Sequence, residues 1–215
     1  MEKSSSEKQL ITIFWVFIIG SIFGSIIETL LEILVDGNLH IRRGLIYGPF
    51  IPVYGVGAVM YYYIVSSIKE PLKVFLTSMA LGGIVEYGCS YVQEACFGTI
   101  SWDYSKAVIN LNGRTDLIHC IFWGVVGIFY ITMAYPVILK FISNYNRREF
   151  KILTFLMITF ISFNILVSCA AGVRQNERVK GIEANGKLDE ILDKYYPDSK
   201  MDKVYSNKII TVKRK

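Results

Sequence analysis

Arg42-Arg43-Gly44-Leu45-Ile46-Tyr47-Gly48-Pro49-Phe50-Ile51-Pro52-Val53-Tyr54-Gly55-Val56-Gly57 lies between two long apolar segments. Four Gly and two Pro in sixteen residues make a poor start for a helix. Gly loses the most backbone freedom on ordering, and Pro has no N–H to give. Yet the stretch runs directly into the apolar residues 58–68. Irregular backbone at the edge of hydrocarbon survives only where protein or a watery cavity covers it. The segment is therefore expected to enter the membrane edge and to be buried by the rest of the chain. The competing reading is an ordinary Pro/Gly turn between two spans.

Working outward, the 215 residues are 53% hydrophobic, with a mean hydropathy of +0.40. That is too apolar for an ordinary soluble domain of this length. Five segments, near 10–35, 45–68, 72–97, 117–142 and 150–173, approach or exceed the ~20 apolar residues a span needs. The expected fold is an all-α, polytopic membrane protein of about five transmembrane helices. A polar stretch, 1–9, precedes the first span. No small-residue cleavage site follows a short apolar core, so that span is read as retained. The transmembrane region, 10–173, is followed by a polar tail, 174–215. In the tail, Leu188, Ile191, Leu192 and Tyr195 recur at helical spacing, marking a short amphipathic helix that ends before Pro197.

The net charge of +5 reads through topology rather than as nucleic-acid affinity. On the N-terminal side, here side A, the short segments carry Lys3, Lys8, Lys69, Lys73, Lys140, Arg147, Arg148 and Lys151. The loops of the opposite side B carry Arg42, Arg43, Lys106 and Arg114. The positive-inside rule then places the N-terminus in the cytoplasm. Arg174, Arg178, Lys180 and Lys187 follow the last span on side B and bring the count to eight against eight. Cys89, Cys96, Cys120 and Cys169 lie in or beside apolar segments, with no C-x-x-C pair. They read as small buried hydrophobes, without a disulfide or zinc framework, and no metal or other cofactor is indicated.

Ionisable groups inside a span cost roughly 2.5–3.5 kcal/mol at the helix centre and are usually paired or functional. Glu28 and Glu32 share one face of the first span, and Glu86, Ser90 and Glu94 form a stripe on the third. Gly24-Ser25-Ile26-Ile27-Glu28 matches Gly82-Gly83-Ile84-Val85-Glu86, and Arg42-x-x-Leu45-Ile46-x-x-x-Phe50 matches Arg114-x-x-Leu117-Ile118-x-x-x-Phe122. The paired matches suggest a parallel repeat of a two-helix unit, whose interface is where such proteins place their sites. Trp102 and Tyr104 suit the headgroup level, and Asn112-Gly113 signals a turn. His119, with no ligand partner at metal spacing, reads as an interfacial or hydrogen-bonded imidazole. Apart from Lys151 at its edge, the span over 150–173 has no charge inside it and reads as packing or lipid-facing. The candidate ligand- or ion-binding residues are Glu28, Arg43, Tyr47, Tyr54, Glu86, Glu94, Asp103, Asn112, Arg114 and His119. Glu28, Glu32, Glu86, Glu94, Arg42, Arg43, Asp103, Arg114, Asp116 and His119 all gather toward side B, where acids on spans one and three can meet bases at the mouths of spans two and four. No catalytic set is identified.

Several of these motifs together resemble a known family. Arg43-Gly44-Leu45-x-Tyr47-Gly48-Pro49-Phe50-x-Pro52-x-Tyr54-Gly55-x-Gly57, Glu86-Tyr87, Trp102-Asp103-Tyr104-Ser105 and Asn110-Leu111-Asn112-Gly113-Arg114 are similar to the bacterial membrane family described as putative ABC-transporter type IV, or putative ABC transporter permease. The likeness covers about 23–136 and is expected to extend into the tail at Tyr196-Pro197-Asp198. Ile27 stands where the family commonly has Trp, and Ser101 where it tends to have the first Trp of Trp-Trp-Asp. The resemblance implies a transport component in the bacterial cytoplasmic membrane. The chain has no Walker A pattern, so any ATPase is expected as a separate subunit.

Three functions follow as expectations. The first is a permease component that moves or binds a solute through the charged intramembrane cluster. The second is an intramembrane enzyme acting on a lipid or lipid-linked substrate; with no recognisable nucleophile it ranks lower. The third is a membrane scaffold with a structural ion-pair network, testable by reversing Glu86 and Arg114 together. The expected partners are the lipid bilayer, a separate ATPase subunit and a second copy of the chain, but no nucleic acid.

Overall fold

A computed structural model describes residues 2–37 and 41–211. In chain order its helices are α1 (Glu2–Asp36), α2 (Pro52–Tyr63), α3 (Pro71–Phe97), α4 (Leu117–Phe129), α5 (Tyr135–Ile142), α6 (Arg148–Val179), α7 (Lys187–Tyr195) and α8 (Asp198–Val204). A wider π turn, Tyr130–Ala134, joins α4 to α5 in one rod. Its cause is Pro136, which lacks an N–H and would press on the carbonyl four residues back. Two-residue strands complete the chain: β1 (Thr99–Ile100) pairs with β4 (Ile209–Ile210), and β2 (Asn110–Leu111) with β3 (Thr115–Asp116), both antiparallel.

Four helical segments are long and apolar enough to cross a membrane: 6–34, 71–97, 117–142 and 148–179. Their outer faces expose Leu76, Ile84, Val125, Phe155 and Leu166. An exposed apolar surface of this kind is what lipid covers. The protein is an all-α membrane protein. The polar residues before the first span are its opening turns, since α1 begins at Glu2.

The segment 45–68 departs from the expected single span. It is irregular through Ile51, helical for twelve residues, and closed by a short 3-10 turn, Val65–Ser67. Twelve residues rise about 18 Å, short of the ~30 Å hydrocarbon core. Non-helical chain covers the remaining depth. At side B, Ser25 Oγ donates to the Arg42 carbonyl; at side A, Gln9 Nε2 donates to Tyr63 Oη at 3.4 Å. Pro52 opens α2 at its first turn, where a missing N–H costs nothing.

The irregular backbone is satisfied from two sides. Ile51 N–H donates to the Ser21 carbonyl of α1 at 3.0 Å. Asn164 of α6, fully buried, clasps Tyr47: its Oδ1 accepts from Tyr47 N–H at 3.1 Å and its Nδ2 donates to the Tyr47 carbonyl at 2.6 Å. Ser168, one turn on, accepts from Ile46 N–H at 3.0 Å. Helix α6, read from its composition as packing or lipid-facing, therefore supplies polar side chains where lipid could supply none.

Helices α1 and α2 pair antiparallel, as do α3 and α4. A Cβ on Gly24 would collide with Tyr54, and one on Gly82 with Trp123. Each glycine sits one turn before its helix's inner glutamate and seats an aromatic ring of the second helix. The Tyr54 and Trp123 rings meet with centroids 5.1 Å apart, where the two helix pairs join.

Beyond the span, α6 continues to Val179 and the tail folds back over it. Arg174, 3% exposed, pairs with Asp193 at 2.9 Å and Glu177 at 3.0 Å; Arg178 pairs with Asp193 and Asp198. Leu192 and Met201 bury against Ile46 and Ala171, while Leu188, Ile191 and Tyr195 stay exposed. The cysteines are not the buried hydrophobes expected. Cys96 and Cys169 are exposed and Cys89 and Cys120 half-buried, with the Cys120 sulfur against Gly83 and Thr115 between α3 and α4.

Candidate functional site

The loop from α3 to α4 decides the site. Gly98 ends α3 in the left-handed conformation, at φ +61°. Asn112 and Gly113 follow with φ +53° and +69°, the positive pair of a tight hairpin turn. The turn closes with Arg114 N–H donating to the Leu111 carbonyl at 3.0 Å. Asp103 is exposed and accepts from Ser105 N–H at 2.9 Å, a bond that holds its carboxyl below the usual range. Trp102 Nε1 donates to the Arg114 carbonyl at 2.8 Å, and Tyr104 N–H to the Gly113 carbonyl at 2.8 Å. These bonds turn Tyr104 inward rather than to the headgroups.

The hairpin sends successive residues to different partners. Arg114 meets Glu94 in a close ion pair and Ser90 at 3.2 Å, not Glu86, so the reversal pair named from sequence is the wrong one. Thr115 Oγ1 donates to Glu86 Oε2 at 2.7 Å, and Tyr104 Oη donates to Glu86 Oε1 at 3.1 Å. Asp116 caps α4, accepting from His119 N–H at 2.7 Å, with His119 Nδ1 2.8 Å from the same oxygen. The His119 ring stacks on Tyr104 with centroids 4.0 Å apart. Burial pushes the Asp116 carboxyl up, but its bonds to His119 outweigh this and leave it below the usual range. Burial, then the charge of Glu86, raises the Tyr104 hydroxyl far above its ordinary value, so Tyr104 is a permanent donor.

The first helix pair contributes the other half. Tyr54 Oη donates to Glu28 Oε1 at 2.7 Å. Tyr104 feels the charges of Glu86, Glu28 and Asp116, so the two halves form one cluster. Glu28, Tyr54, Glu86, Tyr104, Asp116 and His119 are its members. Around it lies a rim of matched charge, with Arg42 on Glu32 at 2.8 Å and Arg114 on Glu94.

The other sequence candidates sit apart. Tyr47 belongs to the α6 clasp, with its hydroxyl 2.7 Å from that of Tyr196. Arg43 lies near Tyr205 of the tail, whose hydroxyl burial lifts to about 12. Asn112 Nδ2 donates to the Tyr87 hydroxyl at 3.1 Å. Tyr104 and Thr115 are absent from the sequence candidates, as are Asn164 and Ser168, while Asp116 stands there only among the side-B charges. Asn164 carried a legible signal, since a lone Asn inside an apolar span needs a partner.

Residues 15–169 match the protein family described as “Putative ABC-transporter type IV”. The chain belongs to this family. No curated protein and no solved structure matches it. The type IV match takes in every member of the acid cluster, the matched rim and the Asn164 clasp. The Arg174–Asp193 clamp and the folded tail lie beyond it.

Proposed function

We propose that this type IV protein is the membrane-spanning component of an ABC-type transporter, and that a cationic or proton-carrying solute passes through the acid cluster. One observation carries this reading. Among the described residues, the hydrogen-bond partners of Glu28, Glu86 and Asp116 are tyrosine, threonine and histidine, not arginine or lysine. Buried carboxylates without a cation are expensive, and a cation or proton arriving from outside relieves that expense. The chain sits in a bacterial cytoplasmic membrane with its N-terminus inside, and a separate ATPase subunit supplies the energy. Affinity purification in mild detergent followed by mass spectrometry tests this. A stoichiometric ATP-hydrolysing subunit is expected, and Glu86→Gln should lower the ATPase rate of the complex at least tenfold while leaving its assembly intact. A chain that purifies without an ATPase, or a rate indifferent to Glu86→Gln, overturns it.

A second reading has one observation in its favour. The His119–Asp116 pair beside Glu86 has the geometry of an acid–base dyad, which suits an intramembrane enzyme acting on a lipid-linked substrate. Turnover of a lipid by the purified chain alone, abolished by His119→Gln, is its expected signature.

A further inference from the structure

The acid cluster has an apolar neighbour. A cavity of about 590 Å³ runs between α1, α2 and the α4–α5 rod. It is lined from Trp123 to Phe141, nineteen residues of rod, or about 27 Å of helix. Gly20 and Phe23 form one wall, and the exposed residues Met133 and Val137 open it toward lipid. Its size falls in the range of small-molecule sites. At the Trp123 end the wall includes Tyr54, the residue whose hydroxyl holds Glu28. Tyr130, 94% buried by its 6% exposure, also lines the cavity, and its hydroxyl has no hydrogen-bond partner among the described residues. A well-packed interior rarely leaves a buried hydroxyl unpaired, so the unpaired group fits an absent occupant with a polar atom or accompanying water.

From the cavity, the Glu28 carboxylate that Tyr54 holds from the wall at the Trp123 end, and the unpaired hydroxyl, we infer that the solute is a cationic amphiphile. Its apolar chain lies along the groove and its positive head rests against Glu28 at the Tyr54–Trp123 end. This rests on the cation reading above and narrows it. Charge selects the occupant: a neutral or anionic lipid gains nothing from a carboxylate whose hydrogen bond, among the described residues, comes from a tyrosine, whereas an ammonium head is attracted by Glu28 and by the aromatic faces of Tyr54 and Trp123. Lipid can enter the groove sideways, past Met133 and Val137, without crossing water.

The test is equilibrium binding of radiolabelled dodecyltrimethylammonium to the full chain in lipid nanodiscs, corrected with empty discs. Tetramethylammonium and dodecyl maltoside serve as competitors. Saturable binding is expected, with the cationic probe at least tenfold tighter than the neutral one. Val137→Trp, which fills the groove from its open side, should weaken it at least fivefold; Met133→Trp gives a second filling variant should the first not fold. Glu28→Gln should reduce the cation preference to twofold or less. If tetramethylammonium competes as well as the long-chain probe, and Glu28→Gln abolishes both, the amphiphile is overturned and the cation reading stands. If dodecyl maltoside competes equally and Glu28→Gln changes nothing, the cationic head is overturned and the cation reading loses its support. Absence of saturable binding also overturns the inference.

Discussion

The interior cluster and the rim around it are both built from acids on α1 and α3, yet they are neutralised in opposite ways. At the rim each acid has its own arginine: Glu32 with Arg42, Glu94 with Arg114. One helical turn or two deeper, the hydrogen-bond donors to Glu28 and Glu86 among the described residues are the hydroxyls of Tyr54, Tyr104 and Thr115. A matched pair fixes geometry and holds little in reserve for a ligand. An acid held by hydroxyls remains able to take a proton or a cation. In the proposed transporter the rim is scaffold and the interior the working part.

That contrast can be broken most forcefully at the scaffold. Arg174→Met removes a guanidinium that is almost fully buried and leaves Asp193 with Arg178 alone. Docking of the tail should weaken by about 3 kcal/mol, the scale for stripping one partner from a buried pair. Limited proteolysis should then cut α7 and α8 while sparing the spans. Asn164→Leu should cost about 2–3 kcal/mol, because two backbone groups of Tyr47 lose their partner where no water replaces it. A thermal-unfolding midpoint unchanged in that variant would show that the irregular segment is held by something other than the clasp.

Next comes the direct comparison of acids. Glu32→Gln should lower stability by about 1–2 kcal/mol, less than a fully buried pair because Arg42 keeps some solvent. Glu86→Gln should leave stability within about 0.5 kcal/mol or raise it, since Gln Oε1 still accepts from one hydroxyl, the other hydroxyl can turn to accept from Gln Nε2, and the buried charge is gone. Equal losses in the two variants would erase the distinction between rim and interior. Tyr104→Phe sharpens it further: one neutral bond to Glu86 is lost, for about 1 kcal/mol, and the stack on His119 is kept.

The smallest effect expected near neutrality is that of pH on the tail. The Arg174 guanidinium, with Arg178, holds the Asp193 carboxyl below its ordinary value. A depressed carboxylate stabilises the folded state above its unfolded value, about 3.9, and loses that contribution as pH falls through the lower folded value. Hydrogen exchange over 187–204 should therefore be flat from pH 7 to about 4, after correction for intrinsic rates, and show weakening protection below. Loss of protection already at pH 6 would point to a different group.

The sequence by itself determined that this is a helical membrane protein, because long apolar runs have no other stable home and backbone polar groups in lipid must be satisfied within helices. It also determined that the Gly/Pro stretch needs cover, and it marked Glu28 and Glu86 as ionisable groups within spans, costly unless paired or functional. Tertiary structure decided what covers the stretch, namely Asn164 and Ser168 more than a hundred residues away, a contact no local pattern encodes. It also decided which acid meets which base. Arg114, Thr115 and Asp116 are consecutive, yet the hairpin at Asn112-Gly113 sends them to Glu94, Glu86 and His119 in turn. Residue type states that a charge needs a partner; only the path of the backbone through space brings one within 3 Å.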